Sequence, residues 1–197
     1  IYGYNINMDT GTSITSWGDK SSDTLTYHTY EKAGTYVVKT KFNRIDTNNA
    51  NATLRNCVTK ILQTRTTNLL CCFRDCGKLT YVNIEGCTFA NKTSSFLYLC
   101  GSDTAPVIVS SKNIVIKGGL PWSVSNFIVT QEDVKTWDIS SLKSWSGLFR
   151  GYKGISLDLS SWDATNISNM SDMFNGCKNL VTLDLSGWVV DNVQDMS

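Results

Sequence analysis

The residues most able to do chemistry are few. His28 is the sole histidine, so a metal site built from several imidazoles is excluded and one imidazole base is left. It lies in a His-Thr-Tyr phrase of an expected strand, where a structural hydrogen bond is the expected role. The cluster Cys71-Cys72-x-x-x-Cys76 invites a zinc or redox reading. Its spacing is not a CxxC pair, and no second ligand pair follows at zinc-site distance. Trp137, Trp162 and Trp188 could stack on sugars, because aromatic faces bind carbohydrate. No nucleophile and base pair, phosphate-binding glycine loop or paired metal-ligand motif stands out, so no catalytic residue, metal or cofactor is expected.

The elements that must position these residues follow from a repeat. WDISSLKSWSGLF (137 to 149) returns as WDATNISNMSDMF (162 to 174) at a constant offset of 25, and a third copy starts at Trp188 after a step of 26. FRDCGKLTYVNIEGC (73 to 87) aligns with FNGCKNLVTLDLSGW (174 to 188) at an offset of 101, which is three steps of 25 and one of 26. About five units result. Leu79-x-x-Val82-x-Ile84-x-x-Cys87-x-Phe89 satisfies the leucine-rich template, and Leu180-x-x-Leu183-x-Leu185-x-x-Trp188 satisfies most of it.

Physically, each Leu-x-Leu pair reads as a short strand with two inward side chains. Ile167, Met170, Met173 and Phe174 then fall at helical intervals, predicting a short helix or 3₁₀ turn. One unit cannot bury its own apolar face, so units are expected to stack as a solenoid, with parallel strands along one side. That register directs the three tryptophans, the methionines and Cys76 with Cys177 into the shared core. It leaves the outward strand positions as the candidate ligand face: Tyr81, Asn83 and Glu85; Ser156, Asp158 and Ser160; Thr182, Asp184 and Ser186. A solvated polar face is the competing reading. Stacked units bring two adjacent aspartates together, too few for a metal. The third copy breaks off after Met196, which suggests an array cut from a longer one.

Before residue 57 the period is absent. Tyr2–Met8, Ser13–Trp17, Leu25–Tyr30 and Thr35–Phe42 read as short strands at roughly ten-residue spacing, predicting a small β-sandwich over 1–56 ahead of the repeats at 57–197. Asp46–Thr53 is a polar connection.

Composition narrows the classes. The chain has 197 residues, 41% hydrophobic and 18% charged, enough to pack a core. With net charge +1 and scattered Lys and Arg, nucleic acid is not an expected partner. No apolar run approaches the roughly 20 residues of a membrane span. Seven cysteines cannot all be paired internally.

Two resemblances complete the reading. Ser16 to Phe42, with Trp17-Gly18-Asp19, His28-Thr29-Tyr30 and Gly34-Thr35-Tyr36, resembles the polycystic-kidney-disease (PKD) type immunoglobulin-like domain, with Lys20 where the second turn glycine is usual. Leu157 to Trp188 resembles the BspA-like leucine-rich repeats of bacterial surface proteins. The pair implies a secreted or cell-surface protein that mediates adhesion by binding a protein or glycan on another surface, without catalysis. A carbohydrate-binding module of a surface polysaccharide-handling system, with the PKD-like domain as spacer, is the alternative reading.

Overall fold

A computed structural model of the chain describes residues 3–5, 13–16, 27–29, 39–41, 60–61, 76–89, 97, 99–118 and 126–197. In the N-terminal part it gives backbone pairing. β1 (Gly3–Asn5) runs antiparallel to β3 (Tyr27–Thr29), with His28 opposite Tyr4. β2 (Ser13–Ser16) runs antiparallel to β4 (Lys39–Lys41), with an irregularity between Ile14 and Ser16. Each strand lies inside a segment whose β-branched and aromatic residues predict one. The Trp17-Gly18-Asp19 turn, the Asp46–Thr53 connection and Cys71-Cys72 lie outside the described residues.

Among the described residues from 60 onward, every strand pairing is parallel. β5 (Lys60–Ile61), β6 (Tyr81–Asn83), β8 (Val107–Ser110) and β10 (Phe127–Ile128) form one sheet in the order β10-β8-β6-β5. β7 (Thr88–Phe89) pairs with β9 (Val115–Ile116), and β11 (Ser156–Asp158) with β12 (Thr182–Asp184). Single parallel bridges link Val115 to Asp138, Phe127 to Tyr152, Ser144 to Asn169 and Asn169 to Asp195. Parallel strands cannot be joined by a tight hairpin. β11 and β12, whose connection is fully described, start 26 residues apart, one step of the repeat.

Alternation along the strands sorts the side chains. Val82, Ile84, Val107, Val109, Phe127, Leu157 and Leu159 point inward and are buried. Leu79, Cys87 and Phe89 are buried with them, at the positions where the leucine-rich template places apolar residues. Trp137, Trp145 and Trp162 are buried as well, and Phe149 stacks on both Trp137 (5.8 Å, 11°) and Phe174 (6.0 Å, 7°). Cys76, Cys87 and Cys100 are buried free thiols, and Cys177 is half-buried.

Of the short helix or 3₁₀ turn expected over Ile167–Phe174, the segment carries turns closed by hydrogen bonds three residues back (Met173 to Met170, Asn175 to Asp172) beside the Asn169 bridge, and no α-helix. The backbone hydrogen bonds give the reason. One unit earlier, the N–H groups of Trp145, Gly147, Phe149 and Gly151 donate to the carbonyls of Asn169, Ser171, Met173 and Asn175 in the next unit (2.8 to 3.0 Å). The intervening N–H groups of Leu148, Arg150 and Tyr152 donate three residues back. A helix would direct all of these donors along its own axis. Here four of the seven hold the neighbouring unit. Left-handed backbone at Gly147 and Asp172, and at Gly151 and Gly176, recurs one unit apart and permits the pattern.

Among the described residues one helical turn occurs, α1 (Gln131–Val134). The Thr130 hydroxyl accepts from the Asp133 N–H (3.0 Å) as its N-cap. No described helix is long and apolar enough to cross a membrane.

Candidate functional site

The outward strand positions fall on two separate sheets. Tyr81, Asn83 and Glu85 belong to β6 and the turn after it, in the four-stranded sheet. Ser156 and Asp158 lie in β11 with Ser160 just after it, and Thr182 and Asp184 lie in β12 with Ser186 just after it, so these six lie side by side: Ser156 is opposite Thr182 and Asp158 opposite Asp184.

Much of the polar chemistry on this face is turned inward upon the turns. The Asp158 carboxylate accepts from both the N–H (3.1 Å) and the hydroxyl (2.6 Å) of Ser160. The Asp184 carboxylate accepts from the Ser186 N–H (2.9 Å). The Asn83 side-chain carbonyl accepts from the Glu85 N–H (3.0 Å), and the Ser110 hydroxyl donates across the sheet to the Glu85 carboxylate (2.5 Å). Elsewhere in the repeats Asp138 with Ser140, Asp163 with Thr165, Asn169 with Ser171 and Asp195 with Ser197 repeat the arrangement. These are Asx turns, in which a short acceptor side chain replaces a backbone carbonyl and fixes the bend.

The electrostatics agree. The Ser160 hydroxyl, then its N–H, holds the Asp158 carboxyl below the ordinary carboxylate range. A carboxyl held ionised by its own turn is not a proton donor. No cluster of three or more metal-ligating side chains occurs among the described residues.

The remaining contact groups are Tyr81, Ser156 and Thr182, together with two isoleucines that alternation singles out. Tyr81 stands opposite Ile108, and Ile108 opposite Ile128, with Lys60 beyond Tyr81. Ile108 is 52% exposed although it sits mid-strand in β8. Lys60, Tyr81, Ile108 and Ile128 thus form a row running across all four strands. The signal for Ile108 is present in the sequence: Val107 and Val109 occupy inward repeat positions, so the residue between them must face out.

A second group is not legible from spacing. The Lys153 ammonium, on a side chain 5% exposed, meets the Asp103 carboxylate at 2.7 Å, and Lys178 approaches its other oxygen at 3.7 Å. The hydrogen bond from Lys153, then the charges of Lys153 and Lys178, hold Asp103 below the ordinary range. Tyr152 and Cys177 lie beside this cluster. Burial pushes both of their pKa values up, which leaves the phenol and the thiol protonated and unreactive. The Cys177 thiol donates to the Phe149 carbonyl (3.1 Å). This is the chemistry of packing.

Residues 122–197 match a family model described as a Mycoplasma protein of unknown function, DUF285. The match spans the last repeat units and is consistent with a BspA-like repeat protein. No match to the chain is found among the curated proteins or the solved structures.

Proposed function

We propose that the chain is a non-enzymatic binding scaffold, a β-sandwich followed by a leucine-rich repeat solenoid, acting at the cell surface or outside the cell and recognising a protein or glycan through the outward face of its repeat sheet. The observation that carries the reading is the row of Tyr81, Ile108 and Ile128 on the open face of a parallel sheet. Parallel sheets ordinarily have both faces covered. A half-exposed β-branched residue in the middle of such a sheet, flanked by a tyrosine, offers the apolar centre with a polar rim that interfaces use.

The acidic and serine positions then serve a different purpose from ligand contact. Their turns hold each circuit of the chain to one length, which keeps the outward rows in register. A carbohydrate-binding module has less support, because Trp137 and Trp162 are buried, and the partly exposed Trp188 packs on Trp145 and donates its indole N–H to the Leu159 carbonyl (2.8 Å).

The test is to immobilise the chain and challenge it with extracellular-matrix proteins and with a glycan array, beside the double variant Tyr81→Ala, Ile108→Lys. Saturable binding to a matrix protein, lost in the variant while the thermal midpoint holds, supports the reading. Binding that survives the double substitution moves the site elsewhere, and absence of saturable binding to either panel rejects the scaffold.

A further inference from the structure

The outward row does not stop at Ile128. Tyr152 is bridged in parallel to Phe127, and the Lys153 N–H donates to the Phe127 carbonyl (2.8 Å), so Lys153 takes the place beside Ile128. Phe127 and Tyr152 are inward and buried, which turns Lys153 outward with Ile128. An outward lysine ordinarily carries its ammonium into water. The Lys153 side chain is instead 5% exposed, whereas Lys178, 25 residues on at the same repeat position, is 73% exposed.

What meets Lys153 is a loop, residues 102–106. The chain leaves the sheet at Cys100, whose carbonyl accepts from the Asn126 N–H (3.4 Å), and returns at Val107, whose N–H donates to the Asn126 carbonyl (2.8 Å). Both ends of the excursion are thus pinned to one residue. Gly101 forms the neck, with φ +67° and no room for a Cβ, which would lie 2.7 Å from the Asn126 carbonyl oxygen. Inside the loop the Ser102 N–H donates to the Ala105 carbonyl and the Ala105 N–H to the Ser102 hydroxyl (both 3.0 Å). Beyond the neck, its polar ties to other described residues are those of Asp103, to Lys153 at 2.7 Å and Lys178 at 3.7 Å. The Asp103 side chain is 62% exposed, so water reaches the carboxylate and scarcely reaches the Lys153 side chain that it holds. Leaving that ammonium unpaired is costly, but exchanging one carboxylate for another keeps it paired.

We propose that Lys153 and Lys178 form a carboxylate subsite at the end of the outward row, that Asp103 fills it in cis, and that the face takes an acidic peptide segment of a partner protein. The partner's aspartate or glutamate displaces Asp103, and a neighbouring aliphatic side chain lies on Ile108 and Ile128. This rests on the reading of the outward row as the contact surface. The resident group gives the chemistry of the occupant: a carboxylate carried on a turn and shared by two lysines one repeat apart. Lys60 adds a positive charge at the far end of the row, beside Tyr81. The loop also sets the affinity. A partner binds the fraction of molecules in which Asp103 has left the subsite, so the observed affinity is reduced by that fraction.

The probe is a fluorescein-labelled peptide in which isoleucines alternate with serines ahead of two aspartates, and its twin ends in two asparagines. Fluorescence anisotropy compares the unaltered chain with Asp103→Asn, with Asp103→Asn plus Lys178→Ala, and with Glu132→Gln, which removes an exposed carboxylate that pairs with Lys135. The aspartate peptide is expected to bind Asp103→Asn about tenfold more tightly than the unaltered chain. Lys178→Ala should take away part of that gain, and neither Glu132→Gln nor the asparagine twin should show it. If Asp103→Asn fails to fold, two glycines inserted between Thr104 and Ala105 keep Asp103, loosen its hold on the lysines and should give the same gain. Equal affinity of the unaltered, Asp103→Asn and lengthened chains overturns the proposal, as does equal binding of the twin or no saturable binding of the aspartate peptide. A sulfated glycan fragment that binds Asp103→Asn where the aspartate peptide does not overturns it in favour of a glycan. The variant Tyr81→Ala, Ile108→Ser separates this proposal from the reading beneath it. A gain on Asp103→Asn that survives that variant keeps the lysine subsite and rejects the row. Peptide binding that needs Tyr81 and Ile108 but ignores Asp103 keeps the row and overturns the subsite.

Discussion

The Gln131 side-chain amide spans the peptide groups of Asp158, donating to its carbonyl (2.7 Å) while accepting from its N–H (2.9 Å). α1 begins where a neighbouring strand would otherwise run beside β11, and a helical turn has no lateral backbone groups to offer. One primary amide supplies both a donor and an acceptor in the geometry of a strand partner. Gln131→Ala leaves two partly buried backbone groups unpaired and is expected to cost roughly 1–3 kcal/mol in urea unfolding. Gln131→Glu turns a carboxylate oxygen on the Asp158 carbonyl, so its deficit should shrink on acidification as that carboxyl gains a proton to donate. An equal deficit at neutral and acid pH would show that the amide donor is unimportant.

Acid should weaken the repeats through their turns. Hydroxyls of Ser140, Ser160 and Thr165 lower the Asp138, Asp158 and Asp163 carboxyls, and the Ser197 N–H lowers Asp195. A depressed folded-state pKa contributes stability that is present above the unfolded value near 4 and disappears as pH falls through the folded value. The urea midpoint is therefore expected to hold from neutrality to about pH 4 and to decline below it. A variant with all four aspartates changed to asparagine keeps the acceptor and loses the titration, so its decline should be shallower. Parallel declines for the two proteins would remove the turns as the cause.

Side-chain direction was legible in the sequence, and backbone partnership was not. The template places Leu79, Val82, Ile84, Cys87 and Phe89 inward, and all five are buried, because burial depends on the period that the sequence displays. The spacing of Ile167, Met170, Met173 and Phe174 suits a helix equally well as a set of turns. What decides is where the intervening N–H groups go, and their acceptors lie one unit away. The candidate face shows the same division. Alternation correctly directs Asp158 and Asp184 away from the core, and nothing in their spacing says that Ser160 and Ser186 will occupy them. Asp103 meets Lys153 and Lys178 because those lysines share one repeat position, while the loop that carries Asp103 follows no period.

Gly86 and Gly187 occupy one position of the repeat for two different reasons. Gly86 has φ +69° with open space where a Cβ would stand. Gly86→Ala is expected to cost about 1–2 kcal/mol, the strain of left-handed backbone. At Gly187 a Cβ would lie 2.0 Å from the Ser160 carbonyl oxygen, in the backbone of the adjacent unit. Gly187→Ala must separate the two units locally. It is expected to lose more stability than Gly86→Ala and to raise amide exchange in β11 and β12, where Gly86→Ala leaves exchange unchanged. Equal exchange in the two variants would mean that the units are not in contact there.

Lys153 is the buried cation whose removal should cost less than its abandonment. Its ammonium is held by Asp103, whereas Lys178, 73% exposed, adds a long and solvated contact. Asp103→Ala strips the counter-charge and leaves an ammonium in a side chain that water scarcely reaches, the costly way to break such a pair. Lys178→Ala removes an exposed contact of the kind worth little. Lys153→Met takes away the charge together with its need for a partner and keeps the length of the stem. The expected order of urea midpoints is therefore Lys178→Ala close to the unaltered chain, Lys153→Met below it, and Asp103→Ala lowest. The double variant Asp103→Ala, Lys153→Met should recover part of the loss seen in Asp103→Ala alone. If the two losses simply add, the ammonium reaches water without Asp103 and the pair has no structural role.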